Sequence, residues 1–240
     1  MPKDQLFQSP RDLVDFRFDA EVVGVFPDMI RRSVPGYETV LPLAALIVSQ
    51  ALPKEGRVYD LGSSLGASSL ALLNQLPTDH PVSIIGIDSS EAMVTQASSK
   101  VRDPRLRFLC ADVRSVNYEP CQAVLSNYLL QFLPVEDRAA LLARLYAALT
   151  PGGCLVLTEK IHLDDDGADR WADAVHLDFK RANGYSELEV AQKRAALERV
   201  MPIEAEAVHR ARLEAQGFTE IRTWFRCLNW ASFVAWKSGP

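Results

Sequence analysis

From Arg57 onward the chain alternates short apolar, β-rich runs with longer stretches whose apolar residues recur at helical spacing. The runs are RVYDL (57–61), VSIIGID (82–88), LRFLCAD (106–112), AVLSNY (123–128) and CLVLTEK (154–160), and the intervals predict helices over 66–76, 90–100 and 135–149. Strand and helix in alternation predict a parallel sheet with helices on both faces. A charged, mostly helical segment (164–201), a helix (204–216) and two more β-rich runs, FTEIRTWFRC and NWASFVAWK, follow. Only about two residues, Leu228-Asn229, join these last runs, which suits an antiparallel hairpin closing the sheet edge. Upstream, 19–51 reads as two helices broken at Pro35-Gly36. The expected organisation is one domain over 1–240: an N-terminal helical cap (1–56), a ligand-binding core (57–160), a helical insert (161–203), and a C-terminal helix and hairpin (204–240).

At 240 residues, 48% hydrophobic and 24% charged, the chain has the composition of a globular protein rather than a disordered or fibrous one. The apolar uncharged stretch 39–53 is interrupted by Pro42, Ser49 and Gln50 and is shorter than the roughly 20 apolar residues of a membrane helix. The start, MPKDQLFQSPRD, has no apolar signal region, so a cytoplasmic protein without membrane contact is expected. Cys110, Cys121, Cys154 and Cys227 have no zinc-finger spacing and read as buried free thiols. With 26 basic against 31 acidic residues the net charge is -5, which offers polyphosphate no bulk attraction, so direct nucleic-acid binding is not expected. The basic pairs Arg31-Arg32, Lys180-Arg181 and Lys193-Arg194 read as solvated surface unless the fold converges them into a local patch.

The candidate chemistry sits where strands end. The first strand runs into VYDLGSSLGASS, in which Gly62 lets a ligand approach the backbone and Gly66 opens a helix whose N-terminal amides favour a carboxylate or phosphate. Ser64 and Ala67 occupy the second and third glycine positions of a G-x-G-x-x-G string, which argues against a nicotinamide or flavin dinucleotide. Asp88 ends the second strand 26 residues after Gly62, near the roughly 20-residue offset of a ribose-binding acid. Asp112 ends the third, where its side chain can read an adenine amino group while the Val113 amide meets a ring nitrogen, and Asn127 ends the fourth. Farther on, Ser186 and Glu189 form a capping box that starts a helix near Glu187; on it Val190, Arg194, Leu197 and Met201 fall on one stripe, with Arg194 either turned to a site or snorkelling to solvent. Asp164-Asp165-Asp166 lacks calcium-loop spacing and reads as a solvated turn, so no metal is expected. His176 reads as structural, and Trp224, Phe225, Trp230, Phe233 and Trp236 of the hairpin as core or subunit-interface residues.

The Pro-Gly-Gly turn of LTPGGCLVLTEK (149–160) resembles that of class I S-adenosylmethionine (SAM) methyltransferases. Together with VFPDMIRRSVPGY (25–37), VYDLGSSLGA (58–67), LLQFL (129–133) and DFKRANGYSELEVAQKR (178–194), it makes the chain similar from end to end to carboxy-S-adenosylmethionine synthases. The resemblance implies a Rossmann-like class I methyltransferase fold: a mostly parallel seven-stranded sheet with a C-terminal antiparallel hairpin, N-terminal helices and a helical insert. It implies that SAM and prephenate become carboxy-SAM and phenylpyruvate, carbon dioxide from prephenate being captured at the SAM methyl group, and that the product serves wobble-uridine modification in tRNA. It further implies a homodimer, with Tyr37, Gly62, Ser63, Ser64, Asp88, Ser89, Asp112, Val113 and Asn127 holding the cofactor and Arg194 gripping the new carboxylate. The chain departs from the family's pattern at Ser63, where Cys is expected, at Ser89, where Asn is expected, and at Ala20, where Glu is expected. The residues alone also accommodate a conventional small-molecule methyltransferase or a silent SAM-binding partner subunit.

Overall fold

A computed structural model describes residues 2–9, 18–53, 55–198 and 200–239. Two helices, α1 (Ala20–Ser33) and α2 (Tyr37–Ala51), precede the sheet and are separated at Pro35-Gly36 as the sequence predicts. Asp19 caps α1 by accepting from the Glu21 and Val22 amides, and Arg31 and Arg32 complement the dipole in its last turn. The core then runs β1 (Gly56–Leu61), α3 (Ala67–Leu73), β2 (Val82–Asp88), α4 (Glu91–Lys100), β3 (Leu106–Cys110), β4 (Cys121–Asn127), α5 (Val135–Ala148) and β5 (Leu149–His162). The insert comprises α6 (Asp166–Ala182) and α7 (Glu187–Glu198), and the chain closes with the two-residue β6 (Glu204–Ala205), α8 (Glu206–Ala215), β7 (Glu220–Cys227) and β8 (Trp230–Trp236).

The main sheet has the order β3-β2-β1-β4-β5-β8-β7, and β6 pairs with the far end of β5 off this path. Strands β1 to β5 are parallel, whereas β8 is antiparallel to both β5 and β7. Leu228, in the left-handed region at φ 52, makes the tight turn of the hairpin. The predicted Pro-Gly-Gly turn appears as a bulge inside β5, where the register with β4 jumps from Cys121↔Leu149 to Ala123↔Cys154.

Successive residues of each strand feed opposite layers. Tyr59, Leu61, Ile85 and Ile87 pack with Leu141, Leu142 and Leu145 of α5, while Val58, Ile84 and Leu125 pack with α2 and α3. Of the hairpin aromatics, Phe233 and Trp230 are buried, and Trp224 and Trp236 pack on the second layer. The reading of four buried thiols holds for Cys121 and Cys154; Cys110 is exposed and Cys227 half-buried, because Cys110 ends an edge strand. Asp165 is the N-cap of α6, accepting from the Ala168 amide at 2.7 Å. No helix among the described residues is long and apolar enough to cross a membrane.

Candidate active site

The turn after β1 is built from left-handed residues: Gly62 (φ 64), Ser64 (φ 47) and Gly66 (φ 82). A Cβ on Gly66 would lie 2.6 Å from Phe108 Cζ and one on Gly62 3.0 Å from Leu129 Cδ1, so close approach and backbone conformation both require glycine there. Two acids hold the turn. Asp60, fully buried, accepts from the Ser69 amide at 3.0 Å and the Ser69 hydroxyl at 2.6 Å, tying β1 to α3; burial pushes its carboxyl up to about 7. Asp88 accepts from the Ser64 amide at 2.9 Å through one oxygen and from the Ser90 amide at 2.8 Å through the other. Burial raises its pKa while those two bonds oppose the rise, so the carboxylate is oriented and retains further lone pairs.

Beside the turn lies a cavity of about 630 Å³, within the usual range for small-molecule sites. Tyr37, Gly62, Ser63, Ser64, Asn127 and Arg194 all line it. Asn127 is fixed by donating to Ser68 Oγ (3.0 Å) and accepting from Thr158 Oγ1 (2.8 Å). Tyr128 follows with φ 63, a left-handed backbone rare for a bulky residue, and its ring lies against Tyr37 and Trp230 at centroid distances of 5.9 and 5.5 Å. Glu159 anchors this bend by accepting from the Leu130 and Gln131 amides at 2.8 and 3.0 Å, and its burial raises its carboxyl to about 8. Among the described residues, two buried polar atoms of cavity-lining side chains, Tyr128 Oη and Trp230 Nε1, lack hydrogen-bond partners, as does Ser63 Oγ, which lies against Gly86 of β2. Such orphans are rare in folded proteins, and a polar ligand beside Tyr128 and Trp230 would account for two of them.

The opposite wall is cationic. Among the described residues, Arg31 of α1, Lys160 of β5, Lys180 of α6, and Lys193 and Arg194 of α7 line the cavity against a single carboxylate, Asp173 of α6. Lys160 Nζ lies 3.0 Å from Asp173, and Lys193 Nζ meets Asp4 at 3.3 Å, Ser33 Oγ at 2.9 Å and Tyr185 Oη at 3.2 Å. Asp4, almost fully buried, thereby fastens the N-terminal segment over α1 and the start of α7. His176 Nε2 contacts the Ser33 carbonyl oxygen at 2.7 Å, and burial holds its pKa down at about 3.

The capping box is present: Glu189 accepts from the Ser186 amide at 2.7 Å and Ser186 Oγ accepts from the Glu189 amide at 3.3 Å. The apolar stripe needs correction. Val190 is buried, but Arg194 is exposed at the cavity rim and Met201 lies beyond the end of α7, because the helix stops at Glu198. Asp88, Ser89, Asp112 and Val113 lie outside the cavity, Asp88 touching it only through Ser64. Asp112 is engaged by Arg114, which contacts Asp112 Oδ2 at 2.5 Å and also reaches Asp137; the Arg114 hydrogen bond lowers its pKa. Val113 is buried. Sequence reasoning did not single out Tyr128, Lys160 or Asp173. The apolar run CLVLTEK ends at Lys160, so the rule that found Asp88 and Asn127 could have reached it, although β5 itself continues to His162; Tyr128 carries no such signal because its importance is a backbone conformation.

Residues 58–153 match the family model of a methyltransferase domain. Human N-acetylserotonin methyltransferase, solved in complex with SAM, superposes with a TM-score of 0.62 at 15% identity over 91% of this chain and 55% of that one. The YcgJ protein of Bacillus subtilis gives 0.60 at 14% over 85% of this chain and 100% of that one. With its sheet order, glycine turn and strand-end acids, the chain therefore has the class I SAM methyltransferase fold.

Within that class the similarity is much narrower. Carboxy-S-adenosyl-L-methionine synthase of Chromohalobacter salexigens is 48% identical over 98% of this chain and 88% of the relative. The enzymes of the same name from Shewanella sp. MR-7 and Actinobacillus succinogenes are 46% and 44% identical over 96% and 99% of this chain and 96% and 100% of theirs. The chain belongs to the carboxy-S-adenosyl-L-methionine synthase family.

Proposed function

We propose that this protein converts SAM and prephenate to carboxy-SAM, phenylpyruvate and water, in the cytoplasm, to supply the cofactor for wobble-uridine modification of tRNA. The carrying observation is the composition of the cavity wall, where among the described residues five basic side chains face the one carboxylate of Asp173. SAM brings a sulfonium, an ammonium and one carboxylate, so such a wall is unfavourable for SAM alone. It suits a dianionic second substrate and a product with an added carboxylate. Prephenate releases carbon dioxide and hydroxide; a SAM methyl C–H is replaced by C–COO⁻, and its proton leaves with the hydroxide as water.

On this reading Asp88 receives the ribose hydroxyls and Ser89, Asp112 and Val113 the adenine, over the ends of β2 and β3. Arg114 already occupies much of Asp112, so the adenine amino group uses a remaining lone pair of that carboxylate. The Gly62-Ser63-Ser64 turn, Tyr37 and Asn127 carry the amino-acid end into the cavity, and Arg194 faces the carboxylate as it forms. The departures at Ser63 and Ser89 keep small polar side chains. We further propose a homodimer, supported by Trp171 and Leu188, which stand 61% and 40% exposed on the insert helices.

The test is incubation of the purified protein with SAM and carboxyl-labelled prephenate. Expected are a labelled nucleoside heavier than SAM by one carbon dioxide and an equal amount of phenylpyruvate. Formation of S-adenosylhomocysteine with a methylated acceptor would instead establish a conventional methyltransferase.

A further inference from the structure

Helix α6 buries Ala172, His176 and Lys180, which fall at i, i+4 and i+8 and so form one face. A lysine in that series is unusual, since an ammonium is kept inside a protein only when it is paired. Lys180 is 6% exposed and lines the cavity. Its cationic neighbours Lys160 and Lys193 are matched to Asp173 and Asp4. Among the described residues the Lys180 ammonium has neither a hydrogen-bond nor an ion-pair partner. Asp173, the one nearby carboxylate, is already shared by Lys160 Nζ at 3.0 Å and Asn229 Nδ2 at 2.8 Å.

We propose that Lys180 anchors a carboxylate of the second, anionic substrate and so selects that substrate, a role distinct from that of Arg194 at the rim. The inference rests on the reading above that this substrate is prephenate. Three features support it. The ammonium faces a cavity large enough for a small molecule, it has positive neighbours on β5 (Lys160) and α7 (Lys193 and Arg194) that reinforce attraction for an anion, and it has no internal anion to give up when one arrives. Burial and those three cations push its pKa down to about 7, with only Asp173 acting against them. A carboxylate placed beside it reverses that shift, so binding above neutrality draws in a proton. SAM is held by the turn and strand ends, which Lys180 does not touch, so the effect belongs to the second substrate alone.

The wild-type enzyme is first assayed with SAM and prephenate; failure to form carboxy-SAM rejects the functional reading itself. Given turnover, Lys180→Gln is expected to raise the KM for prephenate tenfold or more while the KM for SAM stays within twofold, and Lys180→Arg to recover most of the loss. An unchanged prephenate KM in Lys180→Gln, or an equal rise for SAM, overturns the proposal. A second measurement reads protons rather than rate. Calorimetric titration of the wild type with prephenate at pH 8, with S-adenosylhomocysteine present and in two buffers of different ionisation enthalpy, is expected to show net proton uptake. His176, with its pKa near 3, stays neutral on binding; Lys193, whose pKa burial lowers to about 8 against the pull of Asp4, also titrates here, so the uptake belonging to Lys180 is the part lost in Lys180→Gln, and equal uptake in that variant overturns the proposal. Absence of uptake at pH 8 also overturns the proposal.

Discussion

Arg194 concentrates the selectivity question at the scale of one residue. The nucleoside and amino-acid parts of SAM and carboxy-SAM are identical, so only a group facing the added carboxylate separates them. Arg194 lies near enough to Asp173 and Lys180 to act electrostatically on both, yet it is exposed at the rim. Water screens a rim pair, so the loss belongs at the low end of the scale for a charge pair. Arg194→Leu is expected to weaken carboxy-SAM binding by about 2 kcal/mol and leave SAM binding nearly unchanged. Titration of both variants with both ligands checks this, and equal losses would show that Arg194 serves the fold or shared contacts. Asp88 and Arg194 were both legible in the sequence, one from its place at a strand end and the other from family resemblance. Tyr128 was not, because a left-handed tyrosine is imposed by the packing of Glu159 under the following turn.

Among the elements, α8 shows how packing overrides the ordinary behaviour of a side chain. His209 is 2% exposed, stacks on Phe233 at 6.1 Å, and neither ring nitrogen has a partner. Burial lowers its pKa from 6.5 to about 4. The folded state thus keeps the ring neutral while the unfolded chain protonates it below pH 6.5, so the protonation-linked cost of this residue is absent above 6.5. The cost grows as pH falls towards 4, at about 1.4 kcal/mol per pH unit. His209→Leu is expected to gain about 2 kcal/mol relative to wild type between pH 6.5 and 5, measured by denaturant unfolding at each pH. Parallel pH dependence in the two proteins would refute the assignment. Helix ends, by contrast, were local and readable: Ser186 and Glu189 pair as their spacing requires, and Pro202, whose ring excludes a helical carbonyl four residues back, marks the end of α7 at Glu198 before Met201.

For the whole molecule, the most exposed large apolar side chain among the described residues, Trp171, lies on the insert. Trp171 and Leu188 expose apolar area on α6 and α7, the helices that also supply Lys180 and Arg194. A dimer built on this face would cover that area and brace the cationic wall. Light scattering at micromolar concentration is expected to give about twice the 26.7 kDa chain mass, and Trp171→Glu to shift it towards the single-chain value. A wild-type mass equal to one chain removes the dimer.

The order of strands and helices, the break at Pro35-Gly36, the glycine turn, the closing hairpin and the polar strand ends were all determined by the sequence itself. Each depends on residues close together in the chain: an alternation period, a glycine that alone tolerates positive φ, a cap three residues from its partner. The cationic cavity was decided only by the tertiary structure. Its charges come from α1, β5, α6 and α7, separated by up to 163 residues between Arg31 and Arg194, and the chain as a whole is acidic. In the sequence Lys180-Arg181 and Lys193-Arg194 look like two similar basic pairs. Folding sends Arg181 outward to Asp178 and Glu187, Lys193 inward to Asp4, and Lys180 to the cavity without an internal partner. Which of two adjacent cations meets a ligand depends on the helix face turned to the sheet, and that is settled by long-range packing rather than by the order of residues.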